Sequence, residues 1–341
     1  MSTPYLDDIL SQANVLSPAI AQMSIACRSG DLSKMLSGQT FSRFVLTGMG
    51  SSYWALHPLY QRLLAAGRDT WLVETSELIY YNLALLKREQ TLVVAASQSG
   101  ASAEIVRLVE TCRSQCNLIG LTNEPGSPLG SRSTVALVYG VGHEASVSCK
   151  TYTASLAAQS LVGDLLLGHP LCSHALEAAA RSASAYLANW QAYVQHLKIV
   201  LDGVRQIYLV GRGASLAAAG TGGLVIKEAT QLPAEGMSSA GFRHGPLEMI
   251  GPETFVLIFA GAAPTLDLNT CLYQEINERG GRAGLVQMGP KEEAFTFSQV
   301  AEVALPMLEI LPVQLMTLAL GDLLDHPIGV LHYSTKVTTT E

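Results

Sequence analysis

Two short segments carry hydroxyls and glycines at a spacing suited to gripping an anion: Gly48-Met49-Gly50-Ser51-Ser52 and Ser97-Gln98-Ser99-Gly100-Ala101-Ser102. The second follows the apolar run Thr91–Ala96 and precedes Ala103–Glu110, which reads as a helix. A helix amino terminus offers unpaired N–H groups and partial positive charge, and Ser97, Ser99 and Ser102 add hydroxyl donors beside it. A serine in this place is as commonly a plain N-cap, so one such turn leaves both readings open. Two hydroxyl-bearing turns delivered to one sheet edge favour a phosphate. The spacing is that of neither a GxxxxGK[ST] loop nor a dinucleotide fingerprint, which would need a third glycine where Tyr53 stands.

Two further residues have the chemistry to move protons. His244 lies in Gly241-Phe242-Arg243-His244-Gly245-Pro246, a rigid turn that aims an imidazole instead of burying it in a helix face. Glu228 follows Lys227 at the end of a small-residue helix that begins near Leu216. Aldose-ketose chemistry needs a base that moves a proton between adjacent carbons and an acid-base group that opens the ring, and Glu and His fill those roles. Taken alone, a glutamate on a helix is more often a solvated surface residue and a lone histidine more often structural.

The elements that must position these residues follow a βαβ rhythm. Phe44–Thr47, Trp71–Val73, Thr91–Ala96 and Leu118–Leu121 are short apolar runs, each followed by a turn and a helix-period stretch. Continuous apolar strands suit a parallel sheet covered on both faces, with ligands at the carboxyl ends of its strands. A helical segment over about Ser173 to Leu201 then leads to a second series, in which Ile207–Ser215 aligns without a gap on Phe44–Ser52. Both copies place Gly-x-Gly at a strand end. The counterpart of the second anion turn, Leu257–Ala263, has no hydroxyls, so the phosphate is expected in the first half only.

With 341 residues the chain suits two domains, each with its own core. A net charge of -7 and the lack of a basic run argue against a nucleic-acid partner. No signal-like start and no apolar run long enough to span a bilayer are expected, which places the protein in the cytoplasm and away from membranes. The six cysteines show no CxxC pair and no His at metal spacing, so reduced, buried thiols are expected, with Cys112 and Cys116 packed one helical turn apart. Neither a metal nor a cofactor is expected.

Six short motifs, in order, resemble the tandem SIS (sugar isomerase) domain family, most closely the isomerase half of the glutamine-dependent glucosamine-6-phosphate synthases and their stand-alone relatives. They are Gly48–Tyr53, Ser97–Gly100, Val147-Ser148-Cys149-Lys150-Thr151, Lys227-Glu228, Arg243–Leu247 and the tail Lys336–Glu341. The resemblance implies an α/β protein of two flavodoxin-like, three-layer α/β/α SIS domains with parallel sheets. Its boundaries would be an amino-terminal helical segment (1–34), SIS domain 1 carrying the phosphate site (35–172), a helical linker (173–197), SIS domain 2 (198–331) and a tail (332–341). By motif match, Gly50, Ser51, Ser52, Ser97, Gln98, Ser99 and Ser102 would bind phosphate, and Val147 and Ser148 would contact the sugar. Glu228 matches the proton-transfer carboxylate and Lys336 the tail lysine that forms a Schiff base with an open-chain ketose. His244 matches the ring-opening histidine, which the family's synthases supply from the partner subunit, so a homodimer is implied.

The sequence also departs from the synthases. Only about 35 residues precede the first SIS domain, so no glutaminase is expected; Val225 and Gly241 replace a lysine and a glutamate near the sugar. The resemblance thus implies an isomerase or deaminase of an amino-sugar or ketose 6-phosphate. Its alternatives are a deglycase of a phosphorylated sugar-amino acid adduct, suited by a wider pocket, and a phosphosugar-binding protein without turnover.

Overall fold

A computed structural model describes residues 3–87, 90–113, 115–333, 335–338 and 340; Thr339 and Glu341 of the tail motif lie outside them. The chain divides into two compact units. One gathers Val15–Glu144, Lys150–Glu177 and Tyr333–Glu341, and the other Met1–Asn14, Ala145–Cys149 and Ala178–His332. We call them the first and second unit.

The sheet of the first unit contains β1 (Arg43–Gly48), β2 (Asp69–Glu74), β3 (Thr91–Ala96), β4 (Asn117–Thr122) and β5 (Val135–Val138), in the order β2-β1-β3-β4-β5. The second sheet contains β6 (Gln206–Gly211), β7 (Ala234–Ser238), β8 (Thr254–Phe259), β9 (Arg282–Met288) and β10 (Thr296–Phe297), in the order β7-β6-β8-β9-β10. Every pairing is parallel. Both sheets therefore have the 2-1-3-4-5 order of doubly wound, flavodoxin-like folds, whose switch point lies between the first and third strands.

Strand composition follows position in the sheet. The central β3 is buried along its whole length, whereas edge strand β2 leaves Asp69, Trp71 and Glu74 exposed. Val45, Val93 and Ala95 pack against Ile105, Leu108 and Val109 of the helix Ala103–Cys112, so the strand and helix that flank the second anion turn share one core. The repeat extends to backbone conformation. Gly50 and Gly213, two residues beyond the first strand of each sheet, have φ of 53° and 58°, a region that L side chains rarely adopt.

Three details differ from the sequence reading. The segment from Ser173 to Leu201 is two helices, Ser173–Ala188 and Trp190–Leu201, with Asn189 leaving the helical region at ψ 15°. The helix Ala103–Cys112 ends at its cysteine, yet Cys116 N–H still donates to the Cys112 carbonyl one turn back (3.2 Å) and both pack on one core, whereas Cys271 is exposed. Residues Glu302–Leu323 also form a helix long and apolar enough to cross a membrane; 94% of its window is buried, as in a core helix that presents no polar face.

Candidate active site

The ends of β1 and β3 lie level, Gly48 opposite Ala96, so the turns that follow them emerge side by side. After β1 the chain bends through Gly50 into the helix Gly50–Ala55. After β3 it bends through Gly100, with φ of 60°, where a Cβ would lie 2.1 Å from Ser127 Oγ. Only glycine fits there without displacing Ser127, which caps the helix Pro128–Arg132 by accepting from Gly130 N–H. Around it, Ser97 Oγ accepts from Gly100 N–H (3.1 Å), Ser99 Oγ accepts from Ala101 N–H (3.3 Å), and the Gln98 carbonyl accepts from Thr122 Oγ1 (3.1 Å). The loop is thus fixed by its own bonds.

The two turns enclose a cavity of about 320 Å3. Six of the seven residues expected to hold phosphate line it: Gly50, Ser52, Ser97, Gln98, Ser99 and Ser102. Ser51 is half-buried and is not among the lining residues. Ser102 occupies the N-cap position of the helix Ala103–Cys112, yet its side chain makes no capping bond, and its Oγ is buried without a partner among the described residues. The simple N-cap account therefore fails at Ser102, and a buried hydroxyl that faces a cavity is suited to a ligand oxygen.

The carboxy-terminal tail completes the wall. Lys336, Val337 and Thr338 line the same cavity, and the Thr338 carbonyl accepts from Ala103 N–H (3.1 Å), one of the orphan donors at that helix start. Lys336 Nζ forms an ion pair with Glu144 Oε2 at 2.7 Å; the glutamate side chain is fully buried and the lysine side chain is 23% exposed. Glu144 also accepts from Thr151 N–H on Oε1 (3.0 Å) and from Thr151 Oγ1 on Oε2 (2.6 Å). Sequence reasoning missed Glu144, although it stands only three residues before the quoted motif Val147–Thr151. Glu104 was missed too: it lines the cavity with Oε2 buried and unpartnered among the described residues.

Four other expected site residues belong to the second unit. Glu228 is exposed near the end of the helix Leu216–Thr230, which Gln231 terminates in the left-handed conformation at φ 56°. The small residues of that helix have a steric cause. A Cβ on Gly223 would come within 2.7 Å of Gly236 N, and one on Gly236 within 2.1 Å of the Ala219 carbonyl, so helix and β7 backbones touch. Val147 is buried and Ser148 half-buried, in a segment tied down by Ala145 N–H donating to Asp8 Oδ2 (2.7 Å). The buried Tyr5 phenol bonds with Thr317 Oγ1 (3.1 Å). Burial, then the nearby Cys149 and Glu228 charges, push its pKa well up and keep it neutral.

His244 also lies in the second unit, in a turn with well-defined supports. Ser238 caps the short helix Ser239–Phe242 by accepting from Gly241 N–H (2.9 Å), and His244 N–H donates to the Gly241 carbonyl (2.9 Å). Phe242 is fully buried, and Arg243 is ion-paired to Glu275. The imidazole itself is exposed, held by a turn whose Gly245 has φ of 132°. Cup and tail lysine are thus brought together in the first unit, while Glu228, His244, Val147 and Ser148 are carried by the second.

The switch point of the second sheet also turns on left-handed glycines but has different occupants. Gly261, two residues after β8, has φ of 74°, and Gly100, four residues after β3, has φ of 60°. Here Ser215 Oγ donates to Glu309 Oε1 (2.7 Å), and Asn269 Nδ2 donates to the carbonyls of Phe259 (2.9 Å) and Ala260 (3.1 Å). Burial pushes the Glu309 carboxyl up to about 7, offset in part by the Ser215 bond. A hydroxyl committed to a buried carboxyl group cannot serve an anion, which agrees with a phosphate site in the first half alone. Among the described residues no group of three His, Cys, Asp or Glu side chains could hold a metal ion.

Comparisons with known proteins agree with this architecture. The SIS domain profile matches residues 41–166 and 201–288, more than half of the chain. A glutamine–fructose-6-phosphate aminotransferase (isomerizing) of Pyrococcus horikoshii is 26% identical over 300 residues, which cover 84% of this chain and 50% of the relative. The chain spans about half the length of the curated relatives it matches. Among solved structures, the C-terminal domain of glucosamine-fructose-6-phosphate aminotransferase from Francisella tularensis superimposes with a TM-score of 0.83 at 19% identity, over 96% of this chain and 98% of that one. Glucosamine-6-phosphate deaminase from Thermotoga maritima gives 0.79 at 16% identity, over 99% and 100%. These structural likenesses establish the fold, and the matched profile establishes the lineage: the chain belongs to the SIS domain family.

Proposed function

We propose that this protein is an enzyme acting on an amino-sugar or ketose 6-phosphate, converting a substrate of the glucosamine-6-phosphate type to fructose-6-phosphate and ammonia. The observation that carries the reading is the serine-lined cup with its unpartnered Ser102 hydroxyl and an amine-bearing tail in the same wall. The names of the relatives, an isomerizing aminotransferase and a deaminase of glucosamine-6-phosphate, support the substrate class.

In this mechanism the phosphate sits in the cup, where Ser52, Ser97, Gln98, Ser99 and Ser102 hydrogen-bond it and the partial positive charge of the helix amino terminus favours it. His244, supplied by a partner subunit in a homodimer, moves the proton that opens the ring. Glu228 takes the proton from C2 of the open-chain amino sugar and returns it to C1. The resulting C2 imine adds water and releases ammonia, leaving the ketose. Lys336, once out of its ion pair and neutral, is placed to form a Schiff base with that ketose.

The test is direct. The protein is incubated with glucosamine-6-phosphate, and ammonia and fructose-6-phosphate are assayed; equal amounts of both are expected. Binding of the sugar phosphate without turnover of any amino-sugar or ketose phosphate would replace this reading with that of a binding protein. The deglycase reading draws less support, because Val225, one of the two changes that would widen its pocket, is fully buried.

A further inference from the structure

We infer that Glu144 is a positioning residue: a buried carboxylate that latches the carboxy-terminal tail and sets the Lys336 amine in the wall of the cup. The inference rests on reading that cup as the phosphosugar site. No motif named above includes Glu144, yet it has the features of a fixed anchor. Its side chain is fully buried and is bonded to Thr151 through the backbone N–H and the hydroxyl. Thr151 is the second residue of the helix Lys150–Leu167, so the carboxylate sits on a helix amino terminus, where its charge is favoured. A charge held this way cannot follow a moving partner; the partner must come to it.

That partner, Lys336, lies in a segment with no regular structure of its own. Residues 335–338 belong to no helix or strand, and the attachments that seat them include Lys336 Nζ on Glu144 Oε2 (2.7 Å) and the Thr338 carbonyl on Ala103 N–H (3.1 Å). Ala103 opens a helix, and Glu144, in the loop before the helix Lys150–Leu167, is tied to that helix through Thr151; both belong to the first unit, and the three residues from Lys336 to Thr338 line the cavity. A charge-assisted bond to a buried oxygen is stronger than an exposed ion pair. The tail therefore closes over the cup by engaging Glu144. Release of the lysine from Glu144 is what frees its amine for a substrate carbonyl.

The test uses the full chain and two variants that cut the latch from opposite sides, Glu144→Gln and Lys336→Met. Without substrate, trypsin cleavage after Lys336 is expected to be about tenfold or more faster in Glu144→Gln than in the parent protein. Amide exchange of Ala103 is expected to rise by about tenfold in each variant, with little further increase in the double variant. Lys336→Met alters only a half-exposed tail residue, so it keeps the test informative if Glu144→Gln fails to fold. With glucosamine-6-phosphate, and with kcat expressed per folded molecule so that loss of folded protein does not mimic the effect, Glu144→Gln is expected to lower kcat about tenfold with KM changed by less than about threefold. Unchanged Ala103 exchange in Lys336→Met, additive effects in the double variant, or unchanged kcat in a folded Glu144→Gln would each overturn the latch. Failure of the parent protein to turn over any sugar phosphate would instead count against the proposed function, since cleavage and exchange are read without substrate.

Discussion

Replacing Glu309 with Gln should change how the stability of the second unit depends on pH. The carboxyl group is 1% exposed on the helix Leu305–Leu323, and its pKa is raised from 4.5 to about 7 by burial. Because the folded-state value is the higher one, its contribution to stability is fully present below about pH 4.5, where both states are protonated. It declines between about pH 4.5 and 7 and is constant above that. At about 1.4 kcal/mol per unit, the total swing is about 3 kcal/mol. Gln cannot titrate, yet its side-chain carbonyl can still accept from Ser215. Its amide brings two buried N–H donors where the protonated acid has one O–H, a cost that does not vary with pH. The stability of Glu309→Gln relative to the parent should therefore climb by about 3 kcal/mol from pH 4.5 to 7.5, whatever its absolute offset. Urea unfolding followed by Trp190 fluorescence, in a background with Trp54 and Trp71 replaced by Phe, reads this unit. A difference constant within about 0.5 kcal/mol across that range would refute the assigned burial of a protonated carboxyl group.

Other perturbations address the site. Glu228→Gln should abolish turnover of glucosamine-6-phosphate while calorimetry shows its binding nearly intact; normal activity would remove the carboxylate from the mechanism. Ser102→Ala should raise KM by about tenfold, the loss of one charge-assisted bond of about 1.5 kcal/mol, with a smaller effect on kcat, as steady-state kinetics can show. Gly100→Ala should destabilise the first unit by about 1–3 kcal/mol, because it combines a positive φ with a clash against Ser127, and thermal unfolding would register the loss.

How far the molecule was legible in its sequence depends on the range of the interactions concerned. Strand–turn–helix units were readable because each is local: Thr91–Ala96 is a wholly apolar run, and the glycines and serines that follow must form its turn. The Gly50–Gly213 correspondence was readable for the same reason, since a left-handed residue restricts sequence directly. The break at Asn189 gave no signal, because Ala- and Leu-rich sequence continues on both sides. The helix Leu305–Leu323 was missed as an apolar span because Pro306 and Pro312 read as interruptions, yet one lies in its first turn and the other inside it. Glu144 was harder to find: its tail partner is 192 residues away, and the one local pointer is its nearness to the motif Val147–Thr151, which holds its other partner Thr151.

The paired glycines separate what the two halves can and cannot exchange over time. At Gly50 and Gly213, and again at Gly100 and Gly261, the backbone takes a shape that side chains resist, so these turns are fixed by geometry irrespective of what they hold. The hydroxyls around them are under no such constraint. One copy leaves Ser52 at the wall of a cavity, whereas the other turns its counterpart Ser215 inward onto Glu309. Duplication of a single ancestral turn would thus have produced a matched pair of scaffolds, one kept for recognition and the other given over to holding its domain together. Removing the inward acid would not by itself create an anion site, but it would return the second scaffold to a neutral starting point from which anion binding could be selected.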